Sequence, residues 1–163
     1  MKRFRIKYSK KIVLITLMIT FLFVLTSVGL FIKAIHTTGE LVSLIYGVLS
    51  FCILITPLLL FLNNPTHIEL HSGNSMFLIK RPFGTIALSV DKICSLREVP
   101  NFYTAMSVST KGMFGIIGTT MDGYTSYITD KNNIVALESA TRKILFSCEN
   151  PRFLIWDFEN LKY

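Results

Sequence analysis

Two stretches of this chain, Ile12 to Ile32 and Leu41 to Leu62, carry no charged side chain over 21 and 22 residues. At about 1.5 Å per helical residue, each is long enough to cross a hydrocarbon core of about 30 Å. Both read as transmembrane helices joined by a short loop. A cleaved signal peptide is the rival reading of the first run, and Ser27-Val28-Gly29 offers a small-x-small pattern. Signal h-regions are about 7 to 15 residues long, whereas this run continues to Ile32 and a second span follows at once, which favours spanning. Composition agrees, because only 17% of residues are charged, against roughly 25% in soluble chains.

Orientation follows from the basic residues. Lys2, Arg3, Arg5, Lys7, Lys10 and Lys11 precede the first run, whereas the loop between the runs has Lys33 against Glu40. Flanks rich in Lys and Arg stay cytoplasmic. The sequence therefore predicts a basic cytoplasmic tail over 1–11, a helical hairpin over 12–62 and a cytoplasmic domain over 66–163. The protein is expected in the inner (cytoplasmic) membrane, multi-pass, with both termini inside. The formal charge of +7 invites a nucleic-acid reading, but from Asn63 to Tyr163 ten Lys and Arg face nine Asp and Glu, a net of only +1. The tail residues, with Lys80 and Arg81 just after the second run, are assigned to lipid headgroups, where each is worth about 1 kcal/mol. The lipid bilayer is the expected partner, with a protein partner or a second copy open and nucleic acid excluded.

Within the hairpin, Thr16, Thr20 and Ser27 share one stripe of the first helix, and Ser43, Gly47 and Ser50 share one on the second. Small residues of this kind mark a packing seam, here with Ser27 and Gly47 at similar depth. No charged group inside either span suggests a transport path. Cys52, Cys94 and Cys148 are odd in number, and reduced cytoplasmic thiols read as small buried hydrophobes.

After Asn63-Asn64-Pro65 the periodicity changes to alternation. Strands are predicted over His67–His71, Met76–Lys80, Thr85–Val90, Ile93–Val99, Tyr124–Thr129, Asn133–Glu138 and Lys143–Cys148. Turn chemistry at 72–75, 82–84 and 130–132 separates several of them, so an antiparallel sheet is expected. Asn150 and Pro151 suit a helix start, and Leu154, Ile155, Phe158 and Leu161 recur at helical spacing, with Phe153 and Trp156 widening the apolar face.

Several segments carry a resemblance: glycines at 112, 115, 118 and 123, Tyr124-Thr125-Ser126-Tyr127-Ile128-Thr129-Asp130, Ile134-Val135-Ala136-Leu137-Glu138, Lys143-Ile144-Leu145-Phe146-Ser147 and Pro151-Arg152-Phe153. In that order, over roughly 66–161, the chain resembles the bacterial pleckstrin-homology-like (PH-like) domains. The resemblance implies a mainly-β split barrel of about seven strands plugged by a C-terminal α-helix, here following two transmembrane α-helices. It implies a non-enzymatic, membrane-anchored binding or scaffold module, and brings no catalytic residues. The chain departs from the family at Cys148, where proline is common, and at Asn150, where an acidic residue is.

Other chemistry finds little support. His67, Glu69 and His71 share a strand face, but nothing nearby completes a metal site, and an exposed polar face is the plainer reading. Gly112-x-x-Gly115-x-x-Gly118 lacks the Lys and Ser/Thr of a phosphate loop. No nucleophile signature is present, and no cofactor is expected. A small membrane enzyme with its site at the membrane-facing edge of the domain is the runner-up. The segment 101–122 is long and apolar for a connection. Phe102, Tyr103, Met106, Met113, Phe114, Ile116 and Ile117 are therefore candidates for membrane or partner contact, unless the segment folds back as additional strand.

Overall fold

A computed structural model describes residues 1–37, 39–99, 106–112 as backbone only, and 114–162. Both charge-free runs are helical, within α1 (Lys10–His36) and α2 (Glu40–Asn63). Each is long and apolar enough to cross a membrane. Ser9 begins α1 by accepting the Ile12 amide at 3.3 Å, satisfying one of the free N–H groups of a helix start.

The helices meet at buried serines. The Ser27 and Ser50 hydroxyls lie 2.9 Å apart, and each also reaches the other's carbonyl, at 3.1 and 3.0 Å. Ser27 thus faces Ser50, not Gly47, beside which an added Cβ would meet nothing within 4 Å. The offset has a simple cause. α1 continues past the end of its apolar run through Lys33 to His36, which shifts the depth count between the helices.

The remaining elements are β1 (Lys2–Arg5), β2 (His67–His71), β3 (Met76–Lys80), β4 (Thr85–Ser89), β5 (Ile93–Glu98), β6 (Met106–Gly112), β7 (Gly115–Thr120), β8 (Tyr124–Ile128), β9 (Ile134–Ser139), β10 (Lys143–Ser147) and α3 (Pro151–Lys162). They form a four-stranded sheet, β1-β2-β3-β4, and a six-stranded sheet, β5-β9-β10-β8-β7-β6. All seven expected strands are present, but three more join them, and the two sheets do not close into a barrel among the described residues. The expectation of a purely antiparallel arrangement also needs correction. β10 inserts between β9 and β8 and runs parallel to β8, a pairing that local alternation cannot reveal.

The basic tail is not separate from the domain. Lys2–Arg5 pairs antiparallel with β2, Lys2 opposite Leu70 and Arg5 opposite His67. The core joins both sheets to α3: Leu70, Phe77, Ile79, Leu137, Phe146 and Leu154 are fully buried. Phe77 packs against Phe146 and Phe158, with ring centroids at 6.2 and 6.4 Å. Each such side chain contributes about 1.5 to 3 kcal/mol. Phe153 and Trp156, expected to widen the apolar face of α3, are exposed.

Of the cysteines, only Cys148 is buried; Cys52 and Cys94 are exposed, against expectation. Cys94 occupies an outward position in β5, and Cys52 lies on an outward face of α2. Burial pushes the Cys148 thiol up to about 11. An aqueous maleimide is therefore expected to label Cys94 in the folded protein and Cys148 only after unfolding, as read by mass spectrometry. Equal labelling of both before unfolding would contradict this packing.

Candidate functional site

The domain is tied to the hairpin at both of its chain connections and through two turns. Asn64, 1% exposed, sits between them. Its Nδ2 donates to the Tyr8 hydroxyl at 3.0 Å and to the Phe114 carbonyl at 3.5 Å, while Tyr8 donates to the Pro65 carbonyl at 3.2 Å. Burial raises the Tyr8 pKa against the opposing Asn64 hydrogen bond. The Ser9 amide donates to the Thr129 carbonyl at 3.0 Å, and the Thr129 hydroxyl to the Lys7 carbonyl.

The β6–β7 turn reaches the helices directly. Its Phe114 amide donates to Thr16 Oγ1 at 2.9 Å, and the Phe114 ring lies 5.8 Å from that of Phe61. Thr16 is six residues inside α1, about 9 Å along its axis. It therefore serves the junction with the domain and not the helix seam. The β3–β4 turn does likewise at the other helix, with the Phe83 amide donating to the Leu62 carbonyl at 3.0 Å. The Phe83 side chain is 72% exposed beside the end of α2.

The residues assigned to headgroups divide into two groups, apart from Arg81, which is half-buried after β3. Lys2 pairs with Asp157, Arg3 with Glu69 at 2.9 Å, Lys7 with Asp130 at 3.7 Å and Lys80 with Glu69 at 3.9 Å. These four hold the domain together as ion pairs. Arg5, Lys10 and Lys11 are exposed where the chain enters α1. Glu69 is buried, and accepts from Arg3, His67 at 3.2 Å and His71 at 3.4 Å. Burial pushes its carboxyl upward, but these hydrogen bonds and the Lys80 charge outweigh it and hold the pKa below its ordinary value. The expected exposed polar face is thus a buried carboxylate covered by Arg3, Lys80 and two imidazoles. Among the described residues no group of three or more His, Cys, Asp or Glu is placed to hold a metal ion.

A cleft of about 570 Å³ opens between β4 and the face of the second sheet at β8 and β10. Arg81, Asp122, Thr125, Tyr127, Arg142 and Lys143 contribute polar groups to its lining. Arg81 follows β3 in the turn closed by its amide on the Gly84 carbonyl at 3.1 Å. Its Nη1 donates to the Tyr127 hydroxyl at 3.4 Å, while its buried Nε has no hydrogen-bond partner among the described residues. Lys143 lies 5.5 Å from the centre of the Tyr124 ring.

Of the candidate contact residues whose side chains are described, Phe114 is the one seen against the helices. Ile116 and Ile117 pack on the buried clusters of the domain, and Met106 opens β6 opposite Thr120. Phe102, Tyr103 and Met113 lie outside the described residues. Sequence reasoning missed Phe83, although an apolar residue in a Pro-Phe-Gly turn directly after Lys80-Arg81 is a readable signal. Comparison with known proteins gives no match to a family model, a curated protein or a solved structure.

Proposed function

We propose that the chain is a multi-pass protein of the cytoplasmic membrane whose PH-like domain is a non-enzymatic binding or scaffold module at the cytoplasmic leaflet. One observation carries this reading: two turns and two chain connections fasten the domain to the ends of α1 and α2 on one side of the hairpin. A domain held in this way keeps a constant face toward the bilayer, which suits presentation of a surface more than search by a free tether. The basic residues before α1 support a cytoplasmic placement. Contact with the bilayer is hydrophobic in the main, through Phe83 and the β6–β7 turn, because four of the eight basic candidates are already in ion pairs.

Phe83 and Met121 provide the test, since both are 72% exposed, and Met121 lies at the end of β7 away from the turn that meets the helices. A fluorophore at position 83 of the full chain in nanodiscs should be quenched strongly by a lipid-phase quencher, and one at 121 weakly. The difference should persist at high salt. Equal quenching at the two sites would overturn the placement. A reporter fused after Tyr163 should report cytoplasm, and an external signal would overturn the orientation.

A further inference from the structure

We propose that the groove between the free edge of β1 and the first turns of α3 binds an extended segment of a partner protein, with alternating acidic and apolar residues, as one more strand of the first sheet. The proposal deepens the module reading above and rests on it. Backbone geometry is the first ground. β1 is the end strand of its sheet and pairs with β2 on one side only. The Arg5 carbonyl accepts the Glu149 amide at 3.0 Å, so the Arg5 backbone groups face away from β2. Successive residues of an antiparallel pair alternate in direction, which puts the Arg3 N–H and C=O on the same free edge. Among the described residues no backbone group bonds them there. A groove of about 530 Å³ follows this edge, walled by β1 on one side and by Glu149, Asn150, Phe153 and Asp157 on the other. An unpaired strand edge is a template for strand addition. β1 lies outside residues 66–161, where the family resemblance runs, so this groove is a feature of the chain and not of that fold.

The second ground is the chemistry of the two faces that an added strand would continue. Directly opposite residues of neighbouring strands share a face of the sheet. On one face Arg3 reaches Glu69, and Arg5 is exposed without a described carboxylate partner, so acidic residues fit opposite them. On the other face Lys2 meets Asp157 of α3 and Phe4 packs on the core. Residues opposite these two turn to the Phe153 side of the groove, where apolar side chains fit. Phe153 and Trp156 are exposed and, with Arg152, line an adjoining apolar hollow. Aromatic and arginine side chains are those that most often anchor interfaces. Across the two hollows Lys2, Arg3, Arg5 and Arg152 outnumber Glu149 and Asp157. Like charges opposed across a strand pair are destabilising, so this edge rejects the same edge of a second copy and accepts an acidic strand. Trp156 lies beside Lys2, at the end of β1 away from α1, which favours a protein segment over a lipid headgroup.

Full-length protein in zwitterionic nanodiscs would be titrated with a short fluorescent peptide of alternating Val and Glu, followed by polarisation. We expect saturable binding, weakened tenfold or more by Phe153→Ser, by Arg5→Glu and by Lys in place of Glu in the peptide, and unchanged by Lys131→Gln. Phe153 and Arg5 are both exposed, so these variants keep the fold. Strand pairing is read by N-methylating the peptide amides at the Glu positions and, separately, at the Val positions. Only one edge of the peptide faces β1, so one set should abolish binding and the other leave it intact. Any other pattern, or no saturable binding, would overturn the proposal. Phosphatidylglycerol retained by the detergent-purified protein and lost in Phe153→Ser would overturn it in favour of a lipid, and a dimer dissociated by Phe153→Ser in favour of a second copy. Failure here with position-83 quenching intact would leave the module reading standing.

Discussion

Deleting residues 1–5 is expected to destabilise the β-domain by at least about 3 kcal/mol, although these residues look like a disposable basic tail. Phe4 is half-buried against the main core, and its burial is worth at most about 1.5 to 3 kcal/mol. Each hydrogen bond between β1 and β2 adds about 0.5 to 1.5 kcal/mol. The Arg3 side chain is 60% exposed, so its pair with Glu69 is discounted to at most about 1 kcal/mol. Urea unfolding of the full chain and the deletion variant in detergent measures the difference, and an unchanged midpoint would show β1 to be dispensable.

The same deletion should alter the acid limb of stability. The Glu69 pKa is lowered in the folded protein, so its contribution is present above the ordinary carboxylate value and is lost as pH falls through the lowered one. Without Arg3 the carboxyl moves back upward, and acid destabilisation should begin at a higher pH. His67, His71 and Lys80 remain beside Glu69 to moderate the shift.

These effects show which parts of the molecule are readable from local pattern. Ile86 and Leu88, or Ile144 and Phe146, announce their strands because alternate residues meet the core. β1 escapes notice because its Lys and Arg have a sufficient explanation in membrane topology, and its partner β2 follows only after the whole hairpin. The β6–β7 hairpin is obscured by glycines and by the length of the apolar segment, although folding back as additional strand is one of its two sequence readings. The parallel β8/β10 pair depends on a non-local insertion that no periodicity encodes. The cleft is hidden for a related reason: Arg81, Thr125 and Arg142 come from separate parts of the chain and meet only when the sheets assemble. By contrast, the helix lengths and the Ser27 and Ser50 seam residues follow from composition and helical spacing alone, with the depth match wrong by one turn.

Gly115→Ala is expected to be among the most damaging single substitutions in the chain, because it joins the fold to the membrane junction. Gly115 has φ +103°, and an added Cβ would stand 2.1 Å from the backbone carbonyl oxygen of Ile128. The backbone conformation alone costs an alanine roughly 1 to 3 kcal/mol. The overlap cannot be relieved by a side-chain rotation, because the obstructing atom belongs to the main chain of β8. β7 would have to move away from β8, disturbing the neighbouring Ile116 and Ile128 pairing. A total loss of about 3 kcal/mol or more is therefore expected. Phe114 immediately precedes this glycine, with φ +57°, and its amide is held by Thr16. A shift of β7 should thus also release the turn from Thr16 and Phe61, so that lipid-phase quenching measured at the turn changes along with stability. Gly73→Ala is the control, since nothing lies within 4 Å of its added Cβ, and its effect should stay within about 0.5 kcal/mol. Thermal unfolding of both full-length variants decides the matter: equal transitions would mean that the β7–β8 approach at Gly115, and with it the seating of Phe114 on the hairpin, is not as described.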